Sequence, residues 1–230
     1  MNSSILVEGQ DDLAVIVGNL KTLHPAAPYS ETTFPRQNRG DKNKPKEGFK
    51  GEFQISSRTI SIYECGGRDE LVSVLRALAL QNLENLAIIF DSDGNERETL
   101  IKLQNNLREA NLGIPTETNS FTASTPKVGI MLMKPFDLES VIWQVLKDNY
   151  KSLTSCVDDY FSCLELLEDE NGKPIIIEKN KYKTLVKAYF AARPSKRGRI
   201  ELSIKGAVSE GLIDFNHPIF SDLKSFLQQL

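Results

Sequence analysis

The chain has 230 residues, 40% of them hydrophobic and 26% charged, with a formal net charge of −3. That is ordinary globular usage and enough chain to bury a real core; it excludes a disordered or fibrous protein and a globally basic nucleic-acid binder, although a local basic patch stays compatible. No apolar stretch reaches the roughly 18 residues that span a bilayer, so no membrane partner is expected. Cys65, Cys156 and Cys163 cannot all pair, and none stands in a C-x-x-C, which argues against a zinc site and for free thiols in a reducing compartment. Met1-Asn2-Ser3-Ser4 lacks a basic region followed by a long apolar run, so no signal peptide is expected there. The expected location is cytoplasmic.

In chain order, a short apolar strand over residues 4–7 runs into Glu8-Gly9. Leu13, Ile16, Val17, Leu20 and Leu23 then recur at helical spacing behind Asp11-Asp12, acids that suit a helix N-terminus. Residues 25–53 show no clear period, hold several prolines, and carry Arg36, Arg39, Lys42, Lys44, Lys46 and Lys50. They are expected to form a long basic loop that contacts a phosphate backbone. A β-rich strand follows at residues 59–63, a Gly66-Gly67 turn, and a helix over 69–81. The fully apolar run Leu86 to Phe90 is a strand covered on both faces, and it stops abruptly at Asp91-Ser92-Asp93-Gly94. A helix over 96–110, an apolar strand over 128–133 and a helix over 138–146 complete the alternation.

Strands alternating with helices predict an α/β fold with a parallel sheet of about four strands and right-handed crossovers. Residues 1–150 form that unit, and residues 151–230 a mainly helical C-terminal extension. Its apolar stripes are Leu153/Val157/Tyr160/Phe161/Leu164, Tyr182/Leu185/Val186/Tyr189 and Ile219/Phe220/Leu223/Phe226/Leu227. Arg193, Lys196, Arg197, Arg199 and Lys205 form a second basic run, more simply a solvated surface. His24 and His217 both sit near prolines, which leaves Ser-His or Cys-His catalysis without support. Trp143 reads as core.

Ligands in open α/β sheets bind beyond the carboxyl ends of the strands, at the switch point. For strand order 2-1-3-4 that rule brings Glu8, at the end of the first strand, beside Asp91 and Asp93, at the end of the third. Carboxylates crowded together repel unless a cation sits among them, and hard oxygen donors favour Mg²⁺ or Mn²⁺. Asp12, one helical turn after Glu8, either completes the ligand set or only complements the helix dipole; Glu139, after the fourth strand, is a further candidate ligand. Asp11 is the expected helix cap. Five acids suit two ions clamping a phosphoryl transfer.

The runs Leu6-Val7-Glu8-Gly9-Gln10-Asp11-Asp12 and Ile88-Ile89-Phe90-Asp91-Ser92-Asp93-Gly94 resemble the two metal motifs of the Toprim fold, a strand-ending V-E-G-x-x-D and a D-x-D. Met133-Lys134-Pro135-Phe136-Asp137-Leu138-Glu139 is similar to the later L-E helix start of the OLD-like (overcoming lysogenization defect) Toprim proteins. The resemblance implies divalent-metal-dependent phosphodiester chemistry on nucleic acid, with Glu8, Asp12 and a downstream lysine as catalytic residues. Lys183 is the first choice for that lysine and Lys187 the second, against a plain solvated helix face. No G-x-x-x-x-G-K-[ST] loop is present, so an ATPase of the OLD kind would be a separate polypeptide. Three readings follow: a nuclease; a non-catalytic Toprim interaction module working with such an ATPase, for example in phage defence; or a nucleotidyl transferase. A homo-oligomer is compatible with all three.

Overall fold

A computed structural model describes residues 2–36, 46–67, 70–79, 82–92, 94–133, 137–173, 181–193 and 202–230. The elements in chain order are β1 (Asn2–Val7), α1 (Gln10–Leu23), β2 (Tyr29–Arg36), β3 (Lys46–Ile55), β4 (Arg58–Glu64), α2 (Leu71–Ala79), β5 (Asn85–Asp91), α3 (Glu96–Glu109), β6 (Ser120–Phe121), β7 (Lys127–Met133), α4 (Leu138–Asn149), α5 (Lys151–Leu164), α6 (Lys181–Ala192), α7 (Ile204–Ser209), a 3-10 turn (Pro218–Phe220) and α8 (Ser221–Leu227).

The class is α/β, and the sheet is larger than the four strands expected. Among the described residues, seven strands pair in the order β2-β3-β4-β1-β5-β7-β6. The inner four, β4-β1-β5-β7, are mutually parallel, and antiparallel strands extend both edges. The expected long loop over residues 25–53 is instead largely the β2–β3 hairpin, with Tyr29 opposite Phe53 and Arg36 opposite Lys46. Tyr29, Phe49 and Phe53 point toward the core from this hairpin, and Phe53 is fully buried. Pro35 fits because β2 is the outermost strand, where a missing N–H can face away from the ladder.

Side chains on the inner strands alternate between two cores, as the pleat requires. Ile5, Val7, Ala87, Ile89, Met131 and Met133 face α1 and α4 to α8. Leu6, Leu86, Ile88, Phe90, Ile130 and Leu132 face α2 and α3. Both faces are covered, which is why β5 and β7 are largely apolar runs and β1 becomes one from Ile5. The C-terminal helices share the first core: Val157, Phe161, Leu185, Tyr189 and Phe226 pack in it with Ile5 and Leu146. Tyr160, placed in an inward stripe by its spacing, is 59% exposed instead. The Leu230 carbonyl accepts hydrogen bonds from Ser3 Oγ (3.2 Å) and Asn85 Nδ2 (3.1 Å), which docks the tail on the amino ends of β1 and β5. Among the described residues, no helix is long and apolar enough to cross a membrane.

Helix α1 meets the segment after α7 at Gly18. A methyl there would lie 2.1 Å from Phe215 Cε2, far inside van der Waals contact. Gly18→Ala should therefore destabilise the fold by about 1–3 kcal/mol, the usual cost of overpacking. A urea midpoint equal to wild type would show that Phe215 does not seat on that glycine.

Candidate metal centre

The carboxyl ends of β1 and β5 lie side by side, with Val7 in register with Ile89. β1 stops after Val7 because the chain leaving β4 wraps its end. Cys65 N donates to the Val7 carbonyl (2.8 Å), and Gly66 N (2.9 Å) and Gly67 N (3.3 Å) donate to that of Glu8. Gly66 and Gly67 have φ of 78° and 110°, the region where a glycine fits without strain. The chain then turns through Gly9 into α1, where Gly9 N donates to Asp12 Oδ2 at 2.8 Å. The cap of α1 is thus made by Asp12, and the expectation for Asp11 is corrected: its Oδ1 accepts from Lys205 N (3.0 Å) and ties α1 to the first turn of α7. The structural reason is position, since only the third helical residue reaches back to the N-cap amide.

β5 ends on Asp91, whose Oδ1 accepts from Leu138 N (3.0 Å) at the start of α4. That helix is capped by Asp137, which accepts from Ser140 N at 2.8 Å and places Glu139 in the first turn. From the other side, α6 brings Lys183 Nζ to 3.5 Å from Glu139 Oε1; the lysine is 58% exposed and the glutamate 15%. Glu8, Asp12, Asp91, Glu139 and Lys183 line one cleft of ≈ 420 Å³, with Lys205 at its margin. Asp93 lies outside the described residues.

Burial pushes the Asp12 carboxyl well above the ordinary carboxylate range; the Gly9 amide opposes this, and the charges of Glu8, Glu139 and Asp11 add to it. Asp91 is raised too, first by burial and then by Asp12, Glu139 and Glu8. The Glu139 carboxylate holds the Lys183 ammonium above its usual value, against the effect of burial. The acids are therefore close enough to feel one another, yet among the described residues no group of three or more His, Cys, Asp or Glu side chains is placed to hold a metal ion. The donors are all carboxylate oxygens, which match a hard divalent ion in chemistry.

Lys205 is the cleft residue that its sequence context hid, because it belongs to a basic run with the look of a solvated surface. Its ammonium pairs with Glu31 and lies 4.6 Å above the Phe49 ring. Arg193 of the same run donates to the Tyr189 hydroxyl (2.9 Å) and covers the Tyr150 ring, a packing role. Lys196, Arg197 and Arg199 lie outside the described residues. Of the basic hairpin, Arg36 ends β2 and Lys46 begins β3, while Arg39, Lys42 and Lys44 lie outside the described residues. Lys50 is already engaged, 2.6 Å from Glu52 and 5.3 Å from the Tyr63 ring centroid. Trp143 is buried and meets Tyr189 edge-on.

No curated protein matches this chain. A solved structure described as a hypothetical protein, PH0156 from Pyrococcus horikoshii OT3, is similar in fold at 15% identity and a TM-score of 0.59, over 99% of this chain and 94% of that one. A family model described as a protein of unknown function, DUF3226, matches residues 2–230, and the chain belongs to that family.

Proposed function

We propose that the protein is a Mg²⁺- or Mn²⁺-dependent nuclease of the OLD-like Toprim type. The observation that carries this reading is the single cleft in which the ends of β1 and β5 and the first turns of α1 and α4 gather Glu8, Asp12, Asp91 and Glu139, with Lys183 over Glu139. Glu8, Asp12, Asp91 and Glu139 would hold the ions, with Asp93, two residues after Asp91 in the sequence, as a fifth acid. When bound, a divalent ion supplies Lewis acidity to a phosphate oxygen. The chain's own groups then position the reactants. Glu8 or Asp12 orients the attacking water and accepts its proton; the new P–O bond forms as the bond to the departing oxygen breaks. Lys183 offsets the charge that builds on the phosphoryl oxygens.

The direct test is incubation with plasmid DNA, single-stranded DNA and RNA in Mg²⁺, Mn²⁺ and Ca²⁺. Cleavage in Mg²⁺ or Mn²⁺ that is lost in chelator is the expected result. A second reading is a non-catalytic module that works with a separate ATPase, since the chain has no G-x-x-x-x-G-K-[ST] loop of its own. No cleavage under any ion, with or without such an ATPase, would establish the second reading over the first.

The basic segment between β2 and β3 is the proposed contact to the nucleic-acid backbone. Replacing Arg36, Arg39, Lys42 and Lys44 with serine should weaken binding to all sequences alike. It should also make the salt dependence shallower by about 0.7–0.9 of slope per contact removed. Lys50 is left out because its ammonium is already paired. An unchanged slope rules this segment out as a binding element.

A further inference from the structure

A second cavity of ≈ 300 Å³ adjoins the acidic cleft. The two share Asp11, Glu139, Lys183 and Ser203 as a common wall, so they meet at those side chains. The far wall differs in chemistry. It is formed by Val186 and Phe190 of α6 and by Leu202 and Ile204 at α7, all buried, with Lys187 at the rim. One end of the combined space is therefore acidic and fit for cations, and the other is apolar.

We propose that this second cavity is a nucleoside compartment: it takes the base of a nucleotide whose phosphate lies in the acidic cleft. The phosphate end rests on the metal reading above. A ligand that fills both compartments needs an anionic head to meet bound cations and a flat, largely apolar body to leave water. A nucleotide has both, joined by a sugar. The volume suits such a body, since small-molecule pockets start at roughly 300 Å³. Lys183 stands at the junction, where its ammonium can turn from Glu139 to a phosphate oxygen. Lys187, one helical turn on, makes no ion pair with a described residue and is exposed at the mouth. A base seated there cannot stay stacked in a duplex. Unstacking costs a few kcal/mol, and least for a strand that is already single. The substrate class that fits is thus a single-stranded end or a free nucleotide, not the interior of a duplex.

Calorimetric titration of the full chain with dAMP and with deoxyribose 5-phosphate, each with and without Mn²⁺, tests this. dAMP should bind at least about tenfold tighter than the sugar phosphate. Val186→Phe, which narrows the apolar cavity, should erase that preference while the Mn²⁺-induced rise in melting temperature persists. Ile204→Phe narrows it from the opposite wall and serves if Val186→Phe does not melt cooperatively. Equal binding of the two probes by wild type overturns the compartment, as does a base preference untouched by either variant. The preference measured without Mn²⁺ separates the two ideas: loss of the Mn²⁺ response alone defeats the metal reading, and loss of the base preference alone defeats this one.

Discussion

Replacing Lys183 with alanine is expected to lower the rate of phosphodiester cleavage by about a hundredfold to a thousandfold, roughly 3–4 kcal/mol, and to leave the fold intact. The two halves of that expectation have separate grounds. Lys183 is 58% exposed and its partner Glu139 is 3.5 Å away, so the pair is an accessible ion pair worth only about 0–1 kcal/mol to stability. Its value lies in where the charge sits: with Lys205, it is one of two cations of the chain in a cleft whose other charged side chains are acids. Negative charge that develops on a phosphoryl group there meets carboxylates on most sides, and a fixed ammonium favours the transition state over the ground state. Glu8→Gln should cost at least as much, because it keeps the shape of the side chain and removes a charge from the proposed metal shell. Single-turnover rates with saturating Mn²⁺ measure both. If Lys183→Ala cuts at the wild-type rate, the lysine is a solvated helix residue and the catalytic assignment is wrong.

The legible parts of this protein are those where one physical requirement dominates a short stretch of chain. β5, β7 and the second half of β1 are buried on both faces, so their sequence is largely apolar and stops where the sheet stops; Glu8 and Asp91 announce themselves as the first charges after such runs. The hairpin was hidden for the opposite reason. The residues of β2 are mostly exposed, so polar Ser30, Glu31, Thr32 and Thr33 follow one another without an apolar period, and the prolines suggest a loop. β6 is two residues long and leaves no period at all. The cleft wall opposite the sheet is assembled from α6 and the start of α7, whose facing residues are some 20 positions apart in the chain (Lys183 and Ser203). No local pattern tells which helix face will meet the sheet end. Asp11 and Asp12 are a smaller case of the same limit. Adjacent acids at a helix start are equivalent in composition, and only the N-cap geometry sends Asp12 back to Gly9 and Asp11 across to α7.

Thermal unfolding should report the metal through its competition with protons. Burial and neighbouring acids raise Asp12 and Asp91, so the folded protein without metal holds protons that the unfolded chain releases. A raised carboxylate is a stability term that is present at low pH and is lost as pH climbs from the ordinary carboxylate value, about 4, through the folded value. The metal-free protein should therefore melt at a lower temperature near pH 8 than near pH 5, as far as this cluster decides it. A divalent ion needs the same carboxylates deprotonated, so its stabilisation should run the other way and be larger near pH 8. At about a hundred times its dissociation constant an ion contributes about 2.7 kcal/mol, which for a chain of this size is a rise of roughly 5–11 °C. Asp91→Asn separates the two effects. The amide oxygen can still accept from Leu138 N, so the start of α4 keeps its anchor, while the charge is gone. The variant should be more stable than wild type near pH 8 without metal, and its response to Mg²⁺ or Mn²⁺ should be lost or nearly so. A variant that keeps the full wild-type response would show that the ion binds elsewhere. A wild-type protein that gains nothing from either ion would leave Asp12 and Asp91 as half-buried acids with a structural role only.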